Sequence, residues 1–462
     1  MDICHIQRLP EELLLQVLAE VADLDGGPPS ASRFGLEPSA ELTKSANQPL
    51  KVFSLVCWRW RNVAKPHLFQ YARVCLPCDA GWLRLCTGLS QWIRANCRKT
   101  PKMLRLTGKI DNLVQSLTFD SSVDVDADRA LGFEFMPQGE DVWPTEYYHW
   151  MPTAKTDVAQ FLNFVQRNNL VEKIKSLVVF AHKSLNEKRS SHEESIIYDE
   201  VKTMWSEIFK ALPLQRVLVV APPSTMAVLS GGTDRAWDSW LFQMPYHYLE
   251  FSSPQDSTDE VDHTDASLPR RPQGRSFETL LCNIRPWTHM AYNEGTALRG
   301  YGQYEYQWKK LPYVFPSLIE WLVKERNSAR TPKIRTIEYI SLFPYASHLR
   351  NFVLGLASME HLRELKVKLA EPDLLENAEL MGKAQPSDAY NEWDHCYRII
   401  GHHFLALAQP GTTFISADTR FAALKSQIQD CIERRSVVPL AHRLVMEEKG
   451  DGTIIWKVRD VS

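Results

Sequence analysis

The chain has 462 residues, 44% hydrophobic and 24% charged, enough apolar material for a folded core and enough length for more than one structural unit. With 53 Lys and Arg against 56 Asp and Glu, no global field draws it to nucleic acid or to an anionic membrane, so neither is expected as a partner. Nine cysteines scattered singly argue against a secreted disulfide framework, and "MDICHIQRLPEELL" has no signal-peptide pattern; the expected localisation is cytoplasm, nucleus or both.

In chain order, "LPEELLLQVLAEVA" (9–22) predicts a short helix with Pro10 in its first turn, where a missing N–H is harmless, and Glu11 and Glu12 at its positive end. Residues 23–49 are rich in Gly, Pro and Ser and predict a loop. A second helix is expected over 50–64, ended by Pro66, with a short final turn through "HLFQYA".

Beyond residue 73 short β-branched runs alternate with amphipathic stretches. Strands are expected at 175–181, 215–221, 246–251, 334–340, 362–369, 412–417 and 453–458, and helices at 157–168, 200–212, 315–326, 348–359 and 394–408. Loops are expected at about 120–155, 183–199, 252–276 and 383–391. This alternation implies a largely parallel sheet with packed helices. "LRELKVKL" has the look of a leucine-rich-repeat strand, but no clean period emerges.

The segment "SLVCWRWRNVAKPHLF" (54–69) concentrates apolar and basic residues. On a continuous helix, Leu50, Phe53, Val56, Cys57, Trp60, Val63 and Ala64 share one face, which reads as core. Leu55 and Trp58 lie nearly opposite, and either the following domain or a second chain has to cover them.

"LPEELLLQVL" followed by "LKVFSLVCWRWRNVAKPHLF" resembles the F-box motif, through Leu9, Pro10, Glu12, Leu13, Leu14, Ser54, Val56, Cys57, Trp60, Arg61, Pro66, Leu68 and Phe69. Two departures stand out: the long gap at 23–49, and Trp58 at a place that is often basic. A long loop is cheap in entropy, about 0.6 kcal/mol per doubling. The resemblance implies a small three-helix F-box over 1–72, and the remainder, 73–462, resembles the irregular α/β, leucine-rich-repeat-like receptor region of fungal F-box proteins. The expected fold class is therefore α+β to α/β.

The implied function is that of the substrate-recognition subunit of an SCF-type cullin–RING ubiquitin ligase, non-catalytic by itself. Its F-box would dock the adaptor subunit, and the cullin through it, while the second domain captures an unidentified protein substrate. The residues assigned to adaptor binding are Leu9, Pro10, Glu12, Leu13, Leu14, Val56, Cys57, Trp60 and Leu68, some as contacts and some as the unit's own core. A scaffold or sequestering protein acting outside ubiquitin transfer is the alternative.

Other chemistries have weaker support. Cys75 and Cys78 in "CLPC" form half of a zinc or redox motif, but Cys86 and Cys97 are single, and buried reduced thiols are expected instead. In "DHCYRIIGHH", His395 and His402 are seven residues apart, roughly 10 Å along a helix, too far to share a metal, so part-exposed histidines are expected. "SGGTD" (230–234) lacks the lysine of a phosphate cradle, and the acidic run at 256–265 lacks the glycine-centred spacing of a calcium loop. "PRRPQGR" (269–275) reads as a linker. No hydrolase or nucleotide motif is present in the sequence, and no cofactor is expected. The aromatic stretches 141–152 and 300–316 are either lids packed on the sheet, the favoured reading, or a recognition surface.

Overall fold

The computed structural model describes residues 9–24, 38–39, 43, 48–69, 71–76, 151–181, 191–234, 246–253, 281–296, 311–324, 333–342, 345–370, 386–434 and 442–460. Three helices come first: α1 (Glu11–Leu24), α2 (Gln48–Leu55) and α3 (Trp58–Leu68). Pro10 caps α1, its carbonyl accepting from the Leu14 N–H at 3.1 Å, and Glu11 and Glu12 fill the first turn.

The helix expected over 50–64 is broken. Between α2 and α3, Cys57 is extended (φ −162°, ψ 172°) and caps α3, where the Arg61 N–H donates to its carbonyl at 2.9 Å. The Ser54 hydroxyl turns back onto the Lys51 carbonyl and Arg61 Nε reaches the Ser54 carbonyl, so polar groups close the corner that a continuous helix would have spanned. Pro66 does not end α3 as expected but sits in its last turn. The helix runs to Leu68, and the Phe69 N–H still closes onto the Lys65 carbonyl.

The described strands form one ten-stranded sheet in the order β1-β2-β3-β4-β5-β6-β7-β8-β10-β9. These are β1 (Tyr71–Leu76), β2 (Ser176–Ala181), β3 (Arg216–Ala221), β4 (His247–Ser252), β5 (His289–Thr296), β6 (Thr336–Leu342), β7 (Glu364–Lys368), β8 (Thr413–Ser416), β9 (His442–Glu448) and β10 (Ile454–Asp460). β1–β2–β3 and β5–β6–β7–β8 pair in parallel, β4 is antiparallel to both neighbours, and β10 is antiparallel to β8 and β9. The sheet is thus mostly parallel, and a helix lies in each parallel crossover, as parallel pairing requires. These helices are α4 (Met151–Arg167), α5 (Ser191–Ala211), α7 (Val314–Lys324), α8 (Ala346–Ala357) and α9 (Pro386–Ile399), while α6 (Pro223–Ser230) connects β3 to β4 and α10 (Ala422–Gln429) follows β8.

The main core packs helix residues such as Trp205, Leu318 and Phe352 on sheet residues Leu177, Val219, Leu249, Tyr292, Ile337 and Val367. A smaller group on the other face unites Val178, Phe180, Leu218, Val220, Tyr248, Ala291, Ile340 and Leu342. With both faces buried, β2 and β3 read as continuous apolar runs rather than alternating ones.

All seven expected strands are present, with shifted ends. Three more were not foreseen. β1 overlaps the turn assigned to "HLFQYA", and β9 is an edge strand ending in two glutamates. β5, "HMAYNEGT", carries polar groups that are buried rather than displayed, so its pattern carries no strand signal. Helices occupy parts of three expected loops, starting at Met151, Ser191 and Pro386, because polar first turns such as "SHEES" and "PSDA" look like loop. Of the loop at 252–276, residues 254–276 lie outside the described residues. The helix expected at 394–408 is the end of α9, then a π turn (Ile400–Phe404) and a 3-10 turn (Leu405–Leu407). α6 opens on Pro223 and closes on Gly231 at φ 81°, the left-handed position glycine tolerates, which accounts for "SGGTD" as a helix stop.

Candidate protein-docking surface

The three helices have a core of their own, made of Leu14, Leu18, Leu50, Phe53, Trp60, Val63 and Ala64, with Leu9, Cys57 and Leu68 packed at its margin. Phe53 and Trp60 pack within it as a tilted pair with ring centroids 4.1 Å apart. The Trp60 indole N–H is buried there without a hydrogen-bond partner.

Seven core residues on three short helices leave the outer apolar groups uncovered. Val52 (62% exposed), Leu55 (71%), Val56 (48%) and Trp58 (76%) fall within seven consecutive positions around the α2–α3 corner. Leu13 and Val17, one turn apart on α1, are exposed as well, as is Leu15. The extended residue at the corner is the cause at Val56: it takes Val56 off the face predicted for a continuous helix and leaves Cys57 half-buried. Leu55 and Trp58 are not covered by the sheet domain. Burying a side chain of this kind against a partner is worth about 1.5–3 kcal/mol.

Charge is segregated around these groups. Residues 48–68 carry Lys51, Arg59, Arg61 and Lys65 with no Asp or Glu, whereas α1 carries Glu11, Glu12, Glu20 and Asp23 with no Lys or Arg.

The structure separates the nine residues assigned to docking. Leu14 and Trp60 are internal core, and Leu9, Cys57 and Leu68 are half-buried at its edge. Pro10, Glu12, Leu13 and Val56 are exposed. The sequence assignment does not include Val17, Val52, Leu55 and Trp58, which are exposed; the signal for Leu55 and Trp58 is their position opposite the core.

The unit meets the sheet domain through α3 and β1. Phe69 and Phe164 of α4 lie 5.5 Å apart, and Lys65 Nζ donates to Asn168 Oδ1 at 2.8 Å. Arg73 Nε donates to Thr43 Oγ1 at 3.0 Å, tying the 23–49 insertion to β1.

Elsewhere, Cys75 is exposed on β1, while Cys78, Cys86 and Cys97 lie outside the described residues. His395 and His402 are exposed, His403 is half-buried, and Cys396 is buried, its thiol pushed up by burial. Among the described residues no three His, Cys, Asp or Glu side chains are grouped to hold a metal ion, and no helix is long and apolar enough to cross a membrane. The aromatic stretches lie mostly outside the described residues (141–150 and 300–310), as do the acidic run at 256–265 and "PRRPQGR". In the sheet domain a cleft of about 230 Å³ opens between α8 and the 3-10 turn, lined by Leu356, Met359, Glu360, Arg363, Phe404 and Leu407 among others. No family model matches the chain, and no curated protein and no solved structure matches it either.

Proposed function

We propose that the chain is the substrate-recognition subunit of an SCF-type cullin–RING ubiquitin ligase, with the three-helix unit docked on the adaptor and the sheet domain presenting a protein substrate. The observation that carries this reading is the apolar corner of Val52, Leu55, Val56 and Trp58, exposed on a unit whose own core is already filled. Clustered aromatic and aliphatic groups of this kind are what interface hot spots are made of. The ordered F-box-like residues from Leu9 to Phe69 supply the identity of the partner; the exposed corner supplies the physical reason for one.

The role needs no chemistry from this chain, since holding a substrate near a ubiquitin-charged enzyme raises its effective concentration. The Lys65–Asn168 and Arg73–Thr43 contacts bear on the geometry of that presentation, because they connect docking unit and receptor directly. The test is affinity purification of the full chain and of its Leu55→Ala/Trp58→Ala variant with mass spectrometry. Adaptor and cullin are expected with the first and depleted with the second. Equal recovery of the adaptor with both contradicts the reading, and recovery of adaptor without cullin favours the scaffold alternative.

A further inference from the structure

In the middle of the sheet, at one end of its central strands, the start of β4 and the ends of β5 and β6 enclose a polar group under α7 and α8. Glu294 is fully buried and accepts from the Tyr339 hydroxyl at 3.1 Å and from Ser341 at 3.4 Å, with His348 Nε2 of α8 at 3.1 Å from its other oxygen. Phe315 of α7 stacks between Tyr292 and Tyr339, 4.9 Å from each. Beside them His247 is wholly buried, its Nδ1 2.6 Å from the Tyr292 hydroxyl and its Nε2 without any partner.

We infer that His247 is an acid-sensitive latch, and that its protonation releases the start of β4 from the end of β5. A neutral imidazole with one unpaired nitrogen is tolerable in this place. A protonated one would carry an N–H with no acceptor, and the carboxylate that acts on it, Glu294, is already engaged by His348, Tyr339 and Ser341. The other titratable groups facing the site are Tyr292 and Tyr339, with Asp234 of the turn after α6 acting on Tyr292. Burial holds the His247 imidazole down at about 4, the Glu294 charge opposing this and His348 adding to it. Burial alone would raise the Glu294 carboxyl, but His348, His247 and the Tyr339 hydroxyl together hold that group below its usual range.

Relief is local. His247 is the first residue of β4, paired with Ala221 on β3, so bringing it to water requires opening only the strand's first pairs. The opened imidazole titrates near the free value of 6.5, so each pH unit lost between 6.5 and about 4 favours the open form by about tenfold.

Hydrogen exchange of the full chain from pH 7 to 4.5, corrected for intrinsic rates, tests this. Amides at the start of β4 (residues 247–249) and at the end of β5 (residues 292–296) are expected to lose protection by about tenfold per unit below 6.5, with the far ends of both strands and β9 and β10 unchanged. His247→Phe with Tyr292→Phe removes both partners of the hydrogen bond and is expected to abolish the pH slope while keeping protection at pH 7. A slope that persists in the double variant, or a wild type that is flat or that opens equally in all segments, overturns the proposal.

Discussion

In the three-helix unit, Leu50, Phe53 and Trp60 are buried while Val52, Leu55 and Trp58, one to two residues away, stand in solvent. In the sheet domain the relation is reversed: β2 and β3 bury successive residues on both faces, and even Glu294, His247 and Asp418 are enclosed. The sheet domain is large enough to cover its apolar surface and some of its polar groups as well. Three short helices cannot cover theirs, and the surplus is gathered at one corner rather than scattered. A filled core beside a concentrated apolar corner is the pattern of a candidate interaction surface, unlike apolar residues exposed singly.

The sharpest break in this comparison comes from neighbouring tryptophans. Trp60→Ala removes a buried aromatic ring of the small core and is expected to cost about 3–5 kcal/mol, read from urea denaturation of the full chain. Trp58→Ala, two residues away, is expected to stay within about 0.5 kcal/mol of wild type in the same experiment.

The buried charges of the sheet domain yield the next effect. Asp418 is enclosed at the end of β7, accepting from the Leu369 and Ala370 N–H groups and from the Tyr397 hydroxyl. Burial nevertheless raises its carboxyl to about 6, against these hydrogen bonds. The folded state therefore binds more protons than the unfolded one between the ordinary 3.8 and about 6, and stability from this group falls as pH rises through that window. The span is worth on the order of 3 kcal/mol. His247 has the opposite sign, so the two partly cancel in the wild type. Asp418→Asn is expected to unmask a stability that rises with pH from 4 to 6.5, read from urea midpoints.

Helix packing gives a smaller change. A Cβ on Gly355 of α8 would lie 2.6 Å from Cγ2 of Ile319 on α7, so Gly355→Ala is expected to destabilise by about 1–3 kcal/mol in thermal unfolding. Smallest is the exposed Lys425–Glu448 pair, where Lys425→Ala should change stability by less than about 0.5 kcal/mol.

The mostly parallel alternation of helices and strands was legible because β2 and β3 carry valine-rich apolar runs and β7 alternates Leu365 and Val367 with charged residues. β5 was not, since its Asn293, Glu294 and Thr296 are polar groups whose burial depends on neighbours far away in sequence. In the three-helix unit the helical wheel identified Leu50, Phe53, Trp60, Val63 and Ala64 as core. It misplaced Val56, because the extended Cys57 that breaks the helix is closed by Ser54 and Arg61, polar contacts that a hydrophobic period does not register. The absence of repeat periodicity has its cause in β4 and β10, antiparallel members that interrupt an otherwise sequential parallel order.

The central claim is that the exposed corner, and not the core behind it, holds the adaptor. Calorimetric titration of purified adaptor subunit into the full chain and into its Leu55→Ala/Trp58→Ala variant tests this directly. The account predicts that Kd rises by about 100-fold or more, from two side chains of roughly 1.5–3 kcal/mol each, with the unfolding transition unchanged. A Kd that stays within about twofold of wild type on a folded variant would contradict it.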